Sequence, residues 1–238
     1  MKTLEQITCK KCSTVNPAFT SICTNCKSYL RERIVNIDLW KTIGQLIEDP
    51  VNAFKQIIFA ENKNFIIFIT LFIAVKNLII ARFISVPAIG KDGVETSFVI
   101  SYALILLVTI IIFSGFTFVE KALFKRIKIN LRFKDIYAVN VYSFIPVTLS
   151  LIFVFVVEVV VLGGDIFSNN PNPYQIKPTI SYILSGFEIL VILWSIMLIF
   201  KNIKYISGKI FFSFLLTTIF LIILVIAYYI SSLIIFTL

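Results

Sequence analysis

Residues 120–146 read EKALFKRIKINLRFKDIYAVNVYSFIP, and this basic stretch lies between two long apolar runs. It carries six Lys and Arg residues, and Asp135 is the only acid after Glu120. Short loops rich in Lys and Arg stay on the cytoplasmic side, because basic residues beside an apolar helix resist translocation. The sequence therefore predicts that this stretch is a cytosolic loop. The orientation of each other span follows by counting from this loop in both directions along the chain.

The composition of the chain indicates an integral membrane protein. Of its 238 residues, 58% are hydrophobic, and a mean hydropathy of +0.95 is too apolar for a soluble domain. We attribute the formal net charge of +9 to topology and anionic lipid headgroups, since no nucleic-acid recognition element accompanies the basic residues. The chain contains no His, which excludes His-dependent catalytic triads and H-E-x-x-H metalloproteases.

Five apolar runs are each long enough to cross a bilayer, which takes about 20 helical residues. They cover residues 64–88, 98–119, 136–162, 179–200 and 209–236. Lys91 and Lys177 are the only bases in the loops after the first and third runs, whereas nine Lys and Arg residues precede the first run. We therefore expect an all-α polytopic bundle of five spans over residues 64–238. Its N-terminus, which has no visible signal peptide, would be cytosolic and its C-terminus extracytoplasmic.

All four cysteines lie within the first 26 residues as two C-x2-C pairs, Cys9 with Cys12 and Cys23 with Cys26. Each pair has the spacing of two corners of a tetrahedral zinc site, and two pairs complete the site. Two disulfides are the alternative, but a reducing cytosol and short, strained loops argue against them. The pattern predicts one structural Zn²⁺ rather than a catalytic one, because no coordination position stays open.

Residues 8–30 resemble the small zinc-ribbon modules at the ends of many prokaryotic membrane proteins. The features shared with those modules, besides the cysteines, are Asn16-Pro17, Phe19 and Leu30. Such modules usually carry a glycine after each C-x2-C knuckle, where this chain has Ser13 and Lys27. The resemblance implies a cytosolic ribbon over residues 1–30.

Two short amphipathic helices are predicted between the ribbon and the first span, over residues 31–63. The apolar side of the first helix carries Leu39, Trp40, Ile43, Leu46 and Ile47. Asp49-Pro50 then predicts an N-cap followed by proline at the first position of a second helix. Their apolar faces need cover, so we expect them on the cytosolic membrane surface or against the edge of the bundle.

Four charged residues fall inside the predicted spans: Lys76, Arg82, Glu158 and Glu188. Lys76 and Glu188 both lie near mid-membrane, where an isolated charge costs about 2.5–3.5 kcal/mol. We therefore expect these two residues to face each other inside the bundle. Arg82 and Glu158 lie nearer the outer surface, where they would pair with each other or reach the headgroups.

Three further motifs occur in order along the chain. They are LIEDPVNAF at residues 46–54, the Tyr137-x4-Tyr142-x3-Pro146 run, and WSIML at residues 194–198, followed by Lys204 on the predicted cytosolic side of the fourth span. Together they resemble the Yip family of five-span, Ypt/Rab-interacting membrane proteins, over about residues 36–238. Prokaryotic members often carry an N-terminal zinc ribbon. The resemblance implies a non-enzymatic membrane protein of a family linked in eukaryotes to vesicle trafficking and small GTPases.

Two functional hypotheses follow from these features. In the first, the protein is a membrane scaffold or adaptor that binds a cytosolic protein through its ribbon and anionic headgroups through its basic loops. In the second, it is a small transporter or channel with Lys76, Glu158 and Glu188 along the path. An enzyme is not expected, since neither an intramembrane aspartate pair nor a phosphate-binding glycine loop occurs. Nucleic acid is not an expected partner, and self-association stays open.

Overall fold

The computed structural model describes residues 6–17, 19–89, 97–167 and 172–237; it does not place the side chains of residues 82–89, 167 and 233–237. The chain begins with a small module in which β1 (Ile7–Thr8) pairs antiparallel with β2 (Val15–Asn16). A single antiparallel bridge between Ile22 and Tyr29 forms a second turn of similar shape. We call residues 6–30 the cysteine module.

Two short helices follow, α1 (Leu39–Glu48) and α2 (Pro50–Phe59). Asp49 caps α2, because its carboxylate accepts a hydrogen bond from the backbone N–H of Asn52 at 3.3 Å. Pro50 occupies the first turn, where its missing N–H costs nothing. The predicted start of the second helix at Asp49-Pro50 is confirmed.

The rest of the chain is helical. Its helices are α3 (Ile66–Ile89), α4 (Phe98–Arg126), α5 (Phe133–Tyr142), α6 (Ile145–Leu162), α7 (Pro173–Ile176), α8 (Pro178–Ser207) and α9 (Ile210–Thr237). Four segments are long and apolar enough to cross a membrane, namely Phe98–Arg126, Phe133–Ile166, Pro178–Ser207 and Ile210–Ser232. The protein is therefore of the multi-pass membrane type. The fully described apolar part of α3, Ile66–Ala81, is shorter, so a fifth span stays a prediction.

Helix α4 extends beyond the predicted end of its span at residue 119. The prediction that residues 120–126 form a loop is wrong, because this segment is rich in good helix formers and continues α4 to Arg126. Lys125 and Arg126 occupy the last turn, where cations interact favourably with the helix dipole. The basic loop is therefore confined to residues 127–132, in which Lys128 has a φ of 63°.

The segment predicted as the third span is two helices rather than one. Helices α5 and α6 are separated at Ser143 and Phe144, just before Pro146 in the first turn of α6. Proline has no N–H, so Pro146 cannot bond the carbonyl of Tyr142 four residues earlier. The interruption follows from this missing donor.

The bundle packs around α3, which contacts α4, α5, α6 and α9, while α8 contacts α6 and α9. Three rings occupy the main core: Phe113 lies 4.9 Å from Phe144 and 5.9 Å from Phe220 between centroids. Helix α2 lies at the edge of this bundle, against α5 and α8. The residues that α2 buries there are Pro50, Ala53, Phe54, Ile57 and Ile58. Outward faces carry apolar side chains suited to lipid, including Phe118, Phe153, Phe187 and Phe214.

Candidate functional site

The four cysteines converge on one point of the cysteine module. Their sulfur atoms all lie within 4.8 Å of one another, with Cys9 Sγ 3.6 Å from Cys26 Sγ and Cys12 Sγ 3.5 Å from Cys23 Sγ. Zinc–sulfur bonds of about 2.3 Å at tetrahedral corners place sulfurs about 3.8 Å apart, whereas a disulfide needs about 2.05 Å. The four thiols are free, so they could bind a metal ion together.

Each C-x2-C knuckle closes through a tight turn. The carbonyl of Cys9 accepts a hydrogen bond from the N–H of Ser13 at 2.9 Å, and that of Cys23 accepts one from Lys27 at 3.2 Å. Ser13 and Lys27 have φ values of 54° and 58°, in the left-handed region that favours glycine. These are the two positions where zinc ribbons usually carry glycine, and the turns form without it.

Polar groups around the sulfurs favour the metal-binding thiolate form. The hydroxyl of Ser28 lies 3.3 Å from Cys9 Sγ, and the N–H of Lys11 donates to the same sulfur at 3.4 Å. These hydrogen bonds lower the pKa of the Cys9 thiol to about 6. A thiolate is the form that coordinates a metal ion.

Asn16 joins the two knuckles from a fully buried position. Its Nδ2 donates to the carbonyl of Thr14 at 2.8 Å and to Cys23 Sγ at 3.6 Å. Its Oδ1 accepts from the N–H of Thr24 at 2.9 Å. Sequence reasoning noted Asn16 only within the ribbon resemblance, because a single asparagine in a turn-rich segment carries no signal of burial.

The cysteine module contacts one end of the bundle through Phe19. Its ring stacks on Phe59 of α2, with centroids 6.4 Å apart, and meets Tyr205 of α8 edge-on at 6.2 Å. Nearby, Arg33 binds both oxygens of Glu61 at 2.9 and 3.1 Å, which holds the pKa of that carboxyl below its usual range. We call this the module end of the bundle, and the opposite end the far end.

Two clefts separate the cysteine module from the bundle. One of about 380 Å³ lies between Val15 and Pro17 of the module and Lys128 of the loop after α4. The other, of about 410 Å³, lies between Tyr29 of the module and Arg132 at the start of α5. The N-terminal module and the basic loop therefore lie at the same end of the bundle.

Lys63 fixes α2 against α5 and was missed in the sequence. Its buried ammonium group donates to carbonyls in the last turn of α2, including Ile58 at 2.9 Å and Ala60 at 2.7 Å. It also lies 3.2 Å from the carboxylate of Asp135, which Arg132 binds at 2.8 and 3.1 Å. Burial lowers the pKa of Lys63 to about 8, although Asp135 opposes this shift. A lysine between two asparagines looks like an exposed linker, so no local signal could have identified it.

The predicted intramembrane charges meet at one buried cluster. Lys76 of α3 donates a hydrogen bond to Oε1 of Glu188 on α8, and its Nζ lies 3.8 Å from the carboxylate of Glu158 on α6. The structure thus brings Lys76 and Glu188 together and adds Glu158, which the sequence assigned to a pair with Arg82. Arg82 lies on α3, but its side chain is outside the described residues.

The rim of this cluster is polar on one side. Asn77, next to Lys76, accepts a hydrogen bond from the hydroxyl of Tyr228 on α9 and donates to Thr109 of α4 at 3.1 Å. Among the described residues, none donates a hydrogen bond to either oxygen of Glu158 or to Oε2 of Glu188. The cluster therefore connects α3, α6 and α8 through charge, while the Asn77 contacts connect α3, α4 and α9.

A second buried acid, Glu120, lies in the part of α4 that the sequence assigned to a loop. Asn140 of α5 donates through Nδ2 to Glu120 Oε2, and also to the hydroxyl of Thr117 at 3.2 Å. Glu120 is fully buried. Sequence reasoning missed it because a glutamate at the start of a basic segment looks solvent-exposed.

Comparison with protein-family models gives no match, and searches of curated proteins and of solved structures give no significant similarity. The resemblance to the Yip family therefore stays a prediction that rests on the motifs in the sequence.

Proposed function

We propose that this protein is a non-enzymatic membrane scaffold or adaptor whose cysteine module recruits a cytosolic protein. The observation that carries the proposal is that the module packs on the bundle through Phe19 and still exposes large apolar side chains. Val15, Ile22 and Tyr29 are 54%, 43% and 51% exposed. Large apolar groups that stay exposed on so small a module are typical of a protein-binding surface. The Yip-like motifs support the same class of function, in membrane organisation or a trafficking-like process.

One structural Zn²⁺ in the cysteine module is part of this proposal. A closed set of four thiolates is the usual ligand set of structural zinc, and it leaves no position for substrate. The hydrogen bonds from Ser28 and Lys11 suit this role, since they stabilise the thiolate of Cys9. The metal would keep the partner-binding surface folded.

We further propose five spans with the module end in the cytosol. Helix α3 has 24 residues, which at about 1.5 Å per residue gives about 36 Å, enough for a hydrocarbon core of about 30 Å. The basic loop after α4 lies at the module end, as the positive-inside rule requires of a cytosolic loop. At this end the basic loop would contact anionic headgroups. The exposed Trp40 of α1 suits the membrane interface.

Cysteine labelling tests this orientation. In a background lacking the four native cysteines, Gly164→Cys should react with an impermeant thiol reagent from outside the cell, because position 164 is at the far end. Lys125→Cys, which is exposed near the module end, should react only after the membrane is opened. The reverse pattern would contradict the proposed topology.

Crosslinking in native membranes tests the adaptor role. The intact chain should crosslink to a specific cytosolic protein, and a chain lacking residues 1–30 should not. The triple variant Val15→Ser, Ile22→Ser, Tyr29→Ser should lose the same crosslink while keeping its metal. A matched triple variant on the lipid-facing side, Phe153→Ser, Phe187→Ser and Phe214→Ser, controls for general loss of apolar surface and should keep the crosslink if it inserts. An identical crosslinking pattern for all chains would contradict the proposal.

The buried cluster of Lys76, Glu158 and Glu188 favours a second candidate function, a transporter or channel. Ion and solute flux into sealed proteoliposomes distinguishes the two. A scaffold should give no flux above that of empty vesicles. Flux that disappears with Lys76→Leu would favour transport instead.

A further inference from the structure

Glu120 is a fully buried acid of the bundle. It lies six residues before the end of α4 at Arg126, about 9 Å from the module end at about 1.5 Å per residue. Among the residues that the structure describes, no Lys or Arg forms an ion pair with it. The only hydrogen bond to its carboxylate in that part of the chain comes from Asn140.

Two acceptor atoms at this point are also unsatisfied. Glu120 Oε1 and Asn140 Oδ1 are both buried, and neither has a hydrogen-bond partner in the part of the chain that the structure describes. Burying an ionised carboxylate in an apolar interior costs far more than one amide hydrogen bond returns. The carboxylate therefore has to be neutralised by a group that these side chains do not provide, which is either a proton or a bound cation.

The groups around Glu120 are the oxygen ligands that a hard cation prefers. Thr117 supplies a hydroxyl, Asn140 an amide oxygen and Glu120 a carboxylate. Asn140 Nδ2 now lies against both Glu120 Oε2 and Thr117 Oγ1. A half-turn of this amide exchanges Nδ2 with Oδ1, and the amide oxygen would then face the same point as the other two oxygens.

The charge of the site selects the class of cation. One carboxylate neutralises one monovalent ion, whereas a divalent ion would leave an uncompensated charge buried in the bundle. The Lys76 cluster differs in that both of its carboxylates, Glu158 and Glu188, lie within ion-pair distance of one lysine, whereas Glu120 has no such neighbour among the described residues.

We propose that Glu120, Thr117 and Asn140 form a binding site for one monovalent metal cation at the contact between α4 and α5. These two helices flank the basic loop at residues 127–132. A bound ion would hold them together and so fix the loop beside the cysteine module. The proposal requires neither the adaptor role nor transport, since it concerns only ion binding at this contact.

Thermal unfolding of the purified full-length protein tests the proposal with Na⁺ as the probe. The protein is transferred to choline chloride, and Na⁺ is then titrated at constant ionic strength. Binding should raise the melting temperature with the logarithm of the sodium concentration once that concentration exceeds the dissociation constant, by about 5–10 °C at an excess of about 100-fold. Equal melting temperatures in sodium and choline chloride would overturn the proposal.

Variants identify the site. Glu120→Gln keeps the shape of the side chain and removes its charge, so it should abolish the sodium response. Glu158→Gln, a buried acid beside Lys76, is the matched control and should keep it. If Glu120→Gln does not fold, Thr117→Val keeps the carboxylate. It should need about tenfold more sodium for the same rise in melting temperature, because one lost ligand of about 1.4 kcal/mol raises the dissociation constant about tenfold.

Two results would contradict this assignment. A sodium response that persists in Glu120→Gln would place the ion elsewhere. The second result has two parts: neither the native protein nor Glu120→Gln responds to sodium, and Glu120→Gln is the more stable of the two in both salts. This result would show that the carboxyl group carries a proton instead of a metal ion.

Discussion

The cysteine module and the membrane bundle maintain their folds in different ways. The module buries little apolar surface: Cys9, Cys23 and Asn16 are its fully buried residues among those described. The bundle buries a continuous apolar core, with rings such as Phe113 and Phe220 at its centre. A short segment in water lacks enough core to fold alone, so the metal proposed for the module would supply its stability. Helices in lipid gain little from apolar contact itself, so polar contacts and close packing hold them together.

This difference implies that the two regions can be disrupted separately. Loss of the metal ligands should unfold the cysteine module and leave the bundle intact. Loss of the Lys76 cluster should weaken the bundle and leave metal binding intact. The contacts of Phe19 with Phe59 and Tyr205 connect the regions.

The largest effect is expected from removal of one metal ligand. The native protein should contain about one zinc ion per chain, and Cys23→Ser should lose most of it. Structural zinc supplies about 10–16 kcal/mol of apparent binding free energy in comparable modules, so the cysteine module should unfold. Metal analysis measures the first effect, and protease cleavage within residues 6–30 measures the second.

Two controls accompany this variant. Lys10→Ser changes an exposed position in the first knuckle and should retain the metal. Membrane insertion of Cys23→Ser should be unchanged, because the bundle contains no cysteine. Disulfides recovered under thiol-trapping conditions would show that the cysteines do not bind a metal.

In the bundle, the largest effect should come from Lys76→Leu. Removing this lysine leaves Glu158 and Glu188 buried without a cation, which costs about 3–5 kcal/mol. Thermal unfolding in detergent should show the loss as a lower melting temperature, with the metal content unchanged.

Double and triple variants then distinguish the contributions of Glu188 and Glu158, the two partners of Lys76. From the sequence, Lys76→Leu combined with Glu188→Leu is expected to recover much of the loss. The structure predicts only partial recovery, because Glu158 also lies beside Lys76. Adding Glu158→Leu should recover most of the remainder. Strictly additive losses across these variants would show that the three charges are not coupled.

The sequence predicts features of the bundle that depend on local pattern or on depth. The Asp49-Pro50 pair predicts the start of α2, since both residues act within one turn. Matching depths predict the meeting of Lys76 with Glu188. Depth is also the reason that Glu158 was assigned to Arg82, because counting residues from a span end does not show helix tilt or the reach of a long lysine side chain; Glu158 lies 3.8 Å from Lys76 Nζ.

Features that depend on tertiary contact are not visible in the sequence. The basic segment after residue 119 has the composition of either a loop or a helix end, so the burial of Glu120 was missed. Lys63 contacts Asp135 across 72 residues, and nothing near either residue indicates the pairing. In the cysteine module, spacing alone predicts that the four sulfurs converge, because a metal site of this kind requires four sulfurs at fixed distances.

A smaller loss of stability is expected when the contact between the cysteine module and the bundle is weakened. Phe19→Ala removes the stacking on Phe59 and the edge contact with Tyr205, each worth about 0.5–1.5 kcal/mol beyond burial. The cysteine module should keep its metal but detach more often, so proteolysis near residue 30 should be faster. Val15→Ala, at an exposed position of the module, should leave the rate unchanged. Loss of metal in Phe19→Ala would show that the module does not fold independently of the bundle.

The smallest effect concerns the two knuckle turns of the cysteine module. Ser13 and Lys27 adopt positive φ angles, which cost about 1–2 kcal/mol per residue for side chains other than glycine. Glycine removes this strain but increases the freedom of the unfolded chain, which offsets about 0.4–1 kcal/mol. Ser13→Gly and Lys27→Gly should therefore each make the metal-bound module more stable by several tenths of a kcal/mol. The measurement is slower metal transfer to a chelator. Lys10→Gly is the control, because residue 10 is exposed and its φ is not positive, so glycine there only increases the freedom of the unfolded chain and should accelerate transfer. Faster transfer from both glycine variants would show that the side chains of Ser13 and Lys27 support the knuckles in a way that outweighs the backbone strain.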